Sequence, residues 1–387
     1  MDIKELDKSY IAHTYGRFDT ALCRGEGSFI WDDNGKKYID MATGIAVNTF
    51  GIADKEWIGA VTAQLGKLQH TSNLYYSEPC ALLAKMLCER TGFSKVFFSN
   101  SGAEANECAI KAARKYSQEK KGREYYNIIT LKNSFHGSTV TTLAATGQEV
   151  FHKDFTPLTE GFLYAEPNDI ESAKRLIENN KCAAFMLEVV QGEGGVKPLS
   201  KEYLKELYSL LKENDILMIC DEVQTGNGRT GKLYGYMNYD IMPDIASTAK
   251  GLGGGLPIGA TMLTEEVGKV LVPGTHGSTF GGNPVCAAGA VNILSRIDDK
   301  LLSGVQRKSE YIKGELSGAS GIKSVTGLGL MLGIETFKSA GEVIEECMKN
   351  GVLVIKAKEK VRLLPALNIP DELLREAVSV IKKACEI

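Results

Sequence analysis

Residues 216–226, ILMICDEVQTG, and residues 247–255, STAKGLGGG, decide the fold. An apolar run that ends in a carboxylate reads as a buried strand, with Asp221 at its carboxyl end. The second stretch sets Lys250 among small residues in a glycine-rich turn. A lysine and a carboxylate are the two side chains that a pyridoxal phosphate site requires. The amine holds the aldehyde as an imine, and the carboxylate keeps the pyridine nitrogen protonated as an electron sink. Neither residue type is rare, and most lysines are solvated surface groups, so the weight of the pair comes from what surrounds it.

Upstream, KVFFSNSGAEANECAIKAARKY (95–116) reads as a short apolar strand, a small-residue turn and a helix. A helix N-terminus offers unpaired N–H groups and the positive pole of the helix dipole, which together bind phosphate without a basic side chain. Gly102 and Ala103 are the expected donors, although Ser101 and Gly102 could equally do no more than start a helix. Downstream, HGSTFGGNP (276–284) puts Ser278 and Thr279 in a small-residue loop, where their hydroxyls could reach the same phosphate.

Strand-like runs at VFFSN, NIITL, AAFMLEVV, ILMICD and ATMLT alternate with helical segments such as EANECAIKAARKY and KEYLKELYSLLKEN. That alternation predicts an α/β fold with a mostly parallel sheet and helices on both faces. Ligands of such sheets sit at the carboxyl ends of the strands, where Asp221, the SGAEAN turn and Glu188 fall.

Composition narrows the function classes. The 387 residues carry 43% hydrophobic and 24% charged residues, as an ordinary globular protein does. A formal net charge of -3, without a basic stripe, argues against nucleic acid or an acidic membrane surface as partner. The longest apolar runs are too short for a membrane span and the start MDIKELDKSY is too polar for a signal peptide, so a cytoplasmic location is expected. Nine scattered cysteines without a Cys-x-x-Cys pair, and five histidines without ligand spacing, predict neither a disulfide framework nor a metal site. Cys108 and Cys220, in apolar surroundings, are expected in the core. GLGGGLPIG (251–259) lacks the glycine order of both a dinucleotide loop and a P-loop.

Taken together the motifs resemble the class III, or omega, aminotransferases of pyridoxal phosphate fold type I, and within them the acetylornithine aminotransferase subfamily. The resemblance runs from GEGSFIWDDNGKKYID (25–40) through HTSNLYY (70–76), SGAEAN (101–106), SFHG (134–137), EVVQGEGG (188–195), DEVQTG (221–226), AKGLGGGLPIGA (249–260) and GSTFGGNP (277–284) to VRLLPAL (361–367). It implies a seven-stranded, mostly parallel sheet in a large cofactor-binding domain, residues 46–290. A smaller α+β domain would be built from both termini, residues 1–45 and 291–387. It also implies a homodimer. Gly44, where related enzymes carry a bulkier residue, would leave room for an acyl group.

By the same resemblance, Lys250 carries the cofactor and then shuttles the proton, while Asp221 pairs with the ring nitrogen. Val223 and Phe135 cover the two ring faces, and Gln224 bonds the phenolic oxygen. Thr279 reaches the phosphate of the neighbouring subunit. Glu193 and Arg362 would pair in one half-reaction and separate in the other, when Arg362 grips the α-carboxylate of glutamate or 2-oxoglutarate. Tyr15 would line the substrate side. His136 is read as structural, and Glu222 as a member of a structural ion pair. One position departs from the pattern: Ser138 stands where the subfamily has an arginine for the distal carboxylate, and Arg17 and Lys132 are the nearby cations that could replace it. The expected reaction moves the terminal amino group of N-acetylornithine to 2-oxoglutarate, a step of arginine synthesis. The alternative is an ω-aminotransferase for succinylornithine, ornithine or 4-aminobutyrate.

Overall fold

All five residues of Leu217–Asp221 are buried, so this strand tolerates an unbroken apolar run up to the carboxylate that ends it. The computed structural model, which describes residues 2–387, places it at the centre of a seven-stranded sheet. It pairs in parallel with Cys182–Leu187 on one side and Ile245–Thr248 on the other. Beyond Cys182–Leu187 lie Asn127–Leu131 and the edge strand Phe162–Ala165, both parallel. Beyond Ile245–Thr248 lies Gly259–Leu263, antiparallel to its neighbours, and then Lys95–Ser99 at the other edge. The sheet is mostly parallel, as the alternation of strands and helices predicts.

Two strands go beyond the sequence reading. Phe162–Ala165 is a four-residue edge strand, mostly half-buried, and Ile245–Thr248 (IAST) is fully buried although half of it is hydroxyl side chains. Phe162–Ala165 is apolar but only four residues long, and Ile245–Thr248 is both short and half polar.

Helix Gly102–Lys121 lies against the sheet through Ala105, Cys108, Ala109, Ala112 and Ala113. Small residues on that face let the helix axis come close to the strands. Helix Lys201–Glu213, started by Ser200 accepting from the Tyr203 N–H, buries Tyr203, Leu204, Leu207 and Leu211 on the same side of each turn. Cys220 is buried within its strand.

After helix Pro284–Arg296, strands Ile322–Leu328, Met331–Thr336, Lys360–Leu363 and Ile355–Ala357 form a second, antiparallel sheet. The N-terminal strands Leu22–Glu26, Phe29–Asp32 and Lys37–Asp40 form a third sheet, joined by Val352–Leu353. Ile39 and Met41 pack in the same apolar cluster as Val352, Val361 and Leu363. The chain therefore returns from its C-terminal third to its own beginning, and residues 43–49 bridge the segments that follow Arg362 and Lys250. Thr43 Oγ1 donates to the Leu364 carbonyl, and Thr49 Oγ1 donates to the Gly251 carbonyl.

Candidate active site

A cavity of about 430 Å³ opens at the carboxyl end of the central strands. Its walls include Gly102, Ala103, Phe135, Ser138, Glu188 and Glu193, and also Asp221, Val223, Gln224 and Lys250. Segments far apart in sequence thus meet here because strand ends and the turns after them share one edge of the sheet.

Asp221 is 4% exposed. Its Oδ2 accepts from Asn106 Nδ2 at 2.8 Å and lies 2.8 Å from His136 Nδ1; its Oδ1 accepts from the Val223 N–H at 3.1 Å. A carboxylate only accepts, so the His136 proton sits on Nδ1. The Nε2 of His136 is buried without a hydrogen-bond partner among the described residues. His136, expected to be structural, therefore belongs to the immediate surroundings of Asp221.

Lys250 opens a 3-10 turn directly after the neighbouring strand and has φ of 45°. For a residue with a Cβ this left-handed conformation costs about 1–3 kcal/mol, which the surroundings must offset. Asn227 Nδ2 donates to Thr248 Oγ1 and to the Ala249 carbonyl, and Gly251 is held by Thr49. Burial makes the Lys250 ammonium easier to deprotonate than an ordinary lysine; Glu193, Asp221 and Glu188 pull the other way. The amine is thereby closer to a neutral nucleophile and base.

At the mouth of helix Gly102–Lys121, Ser101 caps the Glu104 N–H, which leaves the first-turn N–H groups of Gly102 and Ala103 for a ligand. Gly102 is required by packing: a Cβ there would lie 2.6 Å from Val223 Cγ1. Val223 is thus pressed against the turn that starts the helix.

On the opposite side, Arg362 is 2% exposed and pairs with Glu193, Nη1 to Oε1 at 2.5 Å and Nη2 to Oε2 at 3.4 Å. Gln224 stands between them. Its Oε1 accepts from Arg362 Nη1 at 3.1 Å, and its Nε2 lies 3.5 Å from Glu193 Oε1. Gly192 leaves the room, since a Cβ there would meet Gln224 Oε1 at 2.7 Å. Glu188 accepts from the backbone N–H groups of Phe135 and Gly192, joining the two loops, and burial raises its pKa to about 7. Phe135 meets Phe151 edge to face with ring centroids 5.8 Å apart.

Other expected residues lie elsewhere. Tyr15 and Gly44 line a neighbouring cavity of about 470 Å³ with Arg17, Phe18 and Asn48. Thr279 is exposed and lines a third cavity with His70, Tyr75 and Tyr76. Ser278 touches the main site indirectly, through Asn100 Nδ2 at 3.1 Å. Of the two cations considered beside Ser138, Arg17 pairs with Asp7 and Lys132 with Glu166; neither lines the cavity that Ser138 lines. Glu222 departs from the expected ion pair. It is fully buried and accepts from Thr225 Oγ1 and the Gly235 and Tyr236 N–H groups, and among the described residues it has no cation partner. Burial lifts its pKa to about 7; the folded state then holds a proton that the unfolded chain has released, so stability from this group falls as pH rises from about 4.5 to about 7.

The residues present fit pyridoxal phosphate: a free amine, a buried carboxylate, a helix N-terminus and an apolar wall converge on one cavity. The comparisons with known proteins agree. The family model for Aminotransferase class-III matches residues 10–385. The chain belongs to the class III aminotransferases. It is 50% identical over 381 residues to an acetylornithine aminotransferase of Haemophilus ducreyi, covering 98% of this chain and 97% of that one. It is 46% identical over 373 residues to a succinylornithine transaminase of Salmonella paratyphi A, covering 94% and 91%. Its fold matches an ornithine aminotransferase of Toxoplasma gondii with a TM-score of 0.94 at 32% identity, over 99% of this chain and 93% of that one; that structure shows partial occupancy of PLP at its active site.

The residues that the sequence reading left without a role are Asn106 and Ser247; His136 was given only a structural one. A signal for the first was available: Asn106 is a polar residue on the alanine-rich face of its helix, four positions after Gly102. As a test of the pressed geometry, Gly102→Ala should push Val223 aside and raise the dissociation constant for pyridoxal phosphate by at least tenfold. Adding Val223→Ala should recover a large part of that loss. Fluorescence titration of the apoenzyme checks both, and equal affinity in all three proteins would contradict the close approach.

Proposed function

We propose that this class III aminotransferase moves the terminal amino group of N2-acetyl-L-ornithine to 2-oxoglutarate, giving N-acetyl-L-glutamate 5-semialdehyde and L-glutamate, as a cytoplasmic homodimer. The observation that carries the reaction type is the convergence of Lys250, Asp221, Glu193 and Gln224 on one cavity, with the buried Arg362 bonded to Glu193 and Gln224. The full-length likeness to an acetylornithine aminotransferase supports the donor.

Pyridoxal phosphate, when bound, supplies an aldehyde for amines and a ring that accepts an electron pair. On this reading Asp221 holds the proton on the ring nitrogen, and the N–H groups of Gly102 and Ala103 hold the phosphate. Val223 and Phe135 face the ring, and Gln224 is within reach of its phenolic oxygen. Lys250 Nζ, made less basic by burial, would carry the proton between the substrate carbon and the cofactor carbon.

The two substrates differ beside the reacting amine, one having a carboxylate and the other a methylene chain. Arg362 is buried, whereas the Glu193 side chain is 31% exposed. Leaving a buried arginine without an anion would cost about 3–5 kcal/mol, so the arginine stays and Glu193 moves. A substrate carboxylate takes the place that Glu193 vacates, and Gln224 Oε1 keeps one of the Arg362 donors satisfied throughout. With the acylated diamine the ion pair stays closed and presents a neutral wall.

The dimer is supported by exposed apolar side chains around the Thr279 cavity, among them Leu74, Tyr75, Tyr76 and Phe280. A patch of that kind fits burial against a second copy, which would let Thr279 reach the partner's phosphate turn.

Two measurements test this reading. In single-turnover scans, Arg362→Ala should slow the glutamate half-reaction at least a hundredfold and the N-acetylornithine half-reaction much less; equal losses would contradict the switch. At position 138, Ser138→Arg should raise kcat/KM for N-acetylornithine and glutamate by roughly tenfold to a hundredfold, the worth of a charge-assisted bond of about 1–3 kcal/mol. A fall would mean that a cation from the second copy already fills the place, and no change would put position 138 outside the distal pocket. Running succinylornithine, ornithine and 4-aminobutyrate in parallel decides among the donors.

A further inference from the structure

The amide of Asn106 is the point where three segments of the site are tied together. It is 1% exposed, in the second turn of the helix whose first turn carries Gly102 and Ala103. Its Nδ2 donates to Asp221 Oδ2 and to the His136 carbonyl, both at 2.8 Å. Its Oδ1 accepts from Ser247 Oγ at 2.5 Å. Ser247 is fully buried in the strand that leads to Lys250 and pairs with Asp221 in the parallel ladder.

The direction of this chain is fixed by elementary donor and acceptor counting. A carboxylate and a carbonyl can only accept, so both must face the NH₂ end of the amide. The carbonyl end then faces Ser247, whose hydroxyl has to donate. A flipped amide would set an oxygen against the Asp221 carboxylate and leave buried groups unpaired, at a cost of about 1–3 kcal/mol for each.

We propose that Asn106 is a positioning residue that orients the Asp221 carboxylate toward the cofactor ring, and that Ser247 sets which way the Asn106 amide faces. The proposal rests on the reading of Asp221 as the partner of the ring nitrogen. One side chain thereby fixes the helix that holds the phosphate, the carboxylate at the ring and the strand that delivers Lys250. The His136 backbone, held by the same amide, keeps the SFHG loop in place, so that His136 Nδ1 reaches the same Asp221 Oδ2 that Asn106 contacts.

The test uses full-length protein with Asn106→Leu, which keeps the size of the side chain, Ser247→Ala, which removes only the donor to the amide, and Ser247→Cys, a weak donor of similar size. Apoenzymes are titrated with pyridoxal phosphate, the visible circular dichroism of the bound cofactor is recorded, and the His136 Nδ1–H signal is followed by NMR in the apoenzymes. Asn106→Leu and Ser247→Ala should each raise the dissociation constant at least tenfold, reduce the visible circular dichroism and move the His136 signal. Ser247→Cys should fall between parent and Ser247→Ala. Dissociation constants within twofold of the parent with an unmoved His136 signal would overturn the proposal. So would a loss of affinity that only follows a fall in melting temperature while the dichroism and the His136 signal stay constant. If the parent takes up no cofactor, the ring role of Asp221 fails, and the His136 signal in the apoenzymes still decides whether Asn106 orients Asp221.

Discussion

A carboxylate buried at the end of a central strand is the constraint on which this site depends. Removed from water, Asp221 has to be met by donors, or its charge would be strongly unfavourable in the interior. The Asn106 amide and the Val223 N–H donate to it and His136 lies beside it, and each of these brings a segment with it. Asn106 brings the helix that starts at the Ser101–Ala103 turn, His136 the loop with Phe135, and Val223 the loop with Gln224. The polar requirement of one side chain thus assembles walls of the cavity that come from three separate segments. The sheet supplies the platform, but the hydrogen bonds of Asp221 set the relative positions to within the tolerance that bound-cofactor chemistry needs.

The second charged centre follows a different logic. Arg362 is buried and its partner is not, so the pair is asymmetric: the cation is fixed by its strand and the anion is carried on a loop of glycines. Such a pair can open without stranding the buried charge, provided an incoming carboxylate replaces the departing one. Gln224 belongs to both centres, three residues beyond Asp221 and bonded to Arg362. On the proposed reading, a change at the cofactor ring and a change at the substrate carboxylate would meet on one amide.

Much of the fold was legible because the decisive segments carry local signals. ILMICD is too apolar to be anything but buried, and SGAEAN joins a turn to an amphipathic helix. Ile245–Thr248 was not legible, since two hydroxyl side chains mask a fully buried strand; Ser247 is polar because it serves Asn106. The same masking hid the site's support. Asn106, Ser247 and His136 acquire their roles only through contacts across 30 to 141 positions of chain, which no local pattern announces. Glu222 misled for a related reason: a buried carboxylate suggests a cation, but backbone N–H groups of Gly235 and Tyr236 meet it instead. Ser138 marks the limit for specificity: it lines the cavity, but the motifs that carry the reaction type do not say which anion is held beside it.

The central claim is that the amine at the edge of this sheet is the one that holds the cofactor. Borohydride reduction of the protein loaded with pyridoxal phosphate, followed by peptide mapping, tests it most directly. The account predicts one equivalent of cofactor fixed per chain on the peptide containing Lys250, and none in Lys250→Ala, which should still bind the cofactor reversibly through the Gly102–Ala103 turn. Label recovered on any other lysine, or an equal yield from Lys250→Ala, would contradict it.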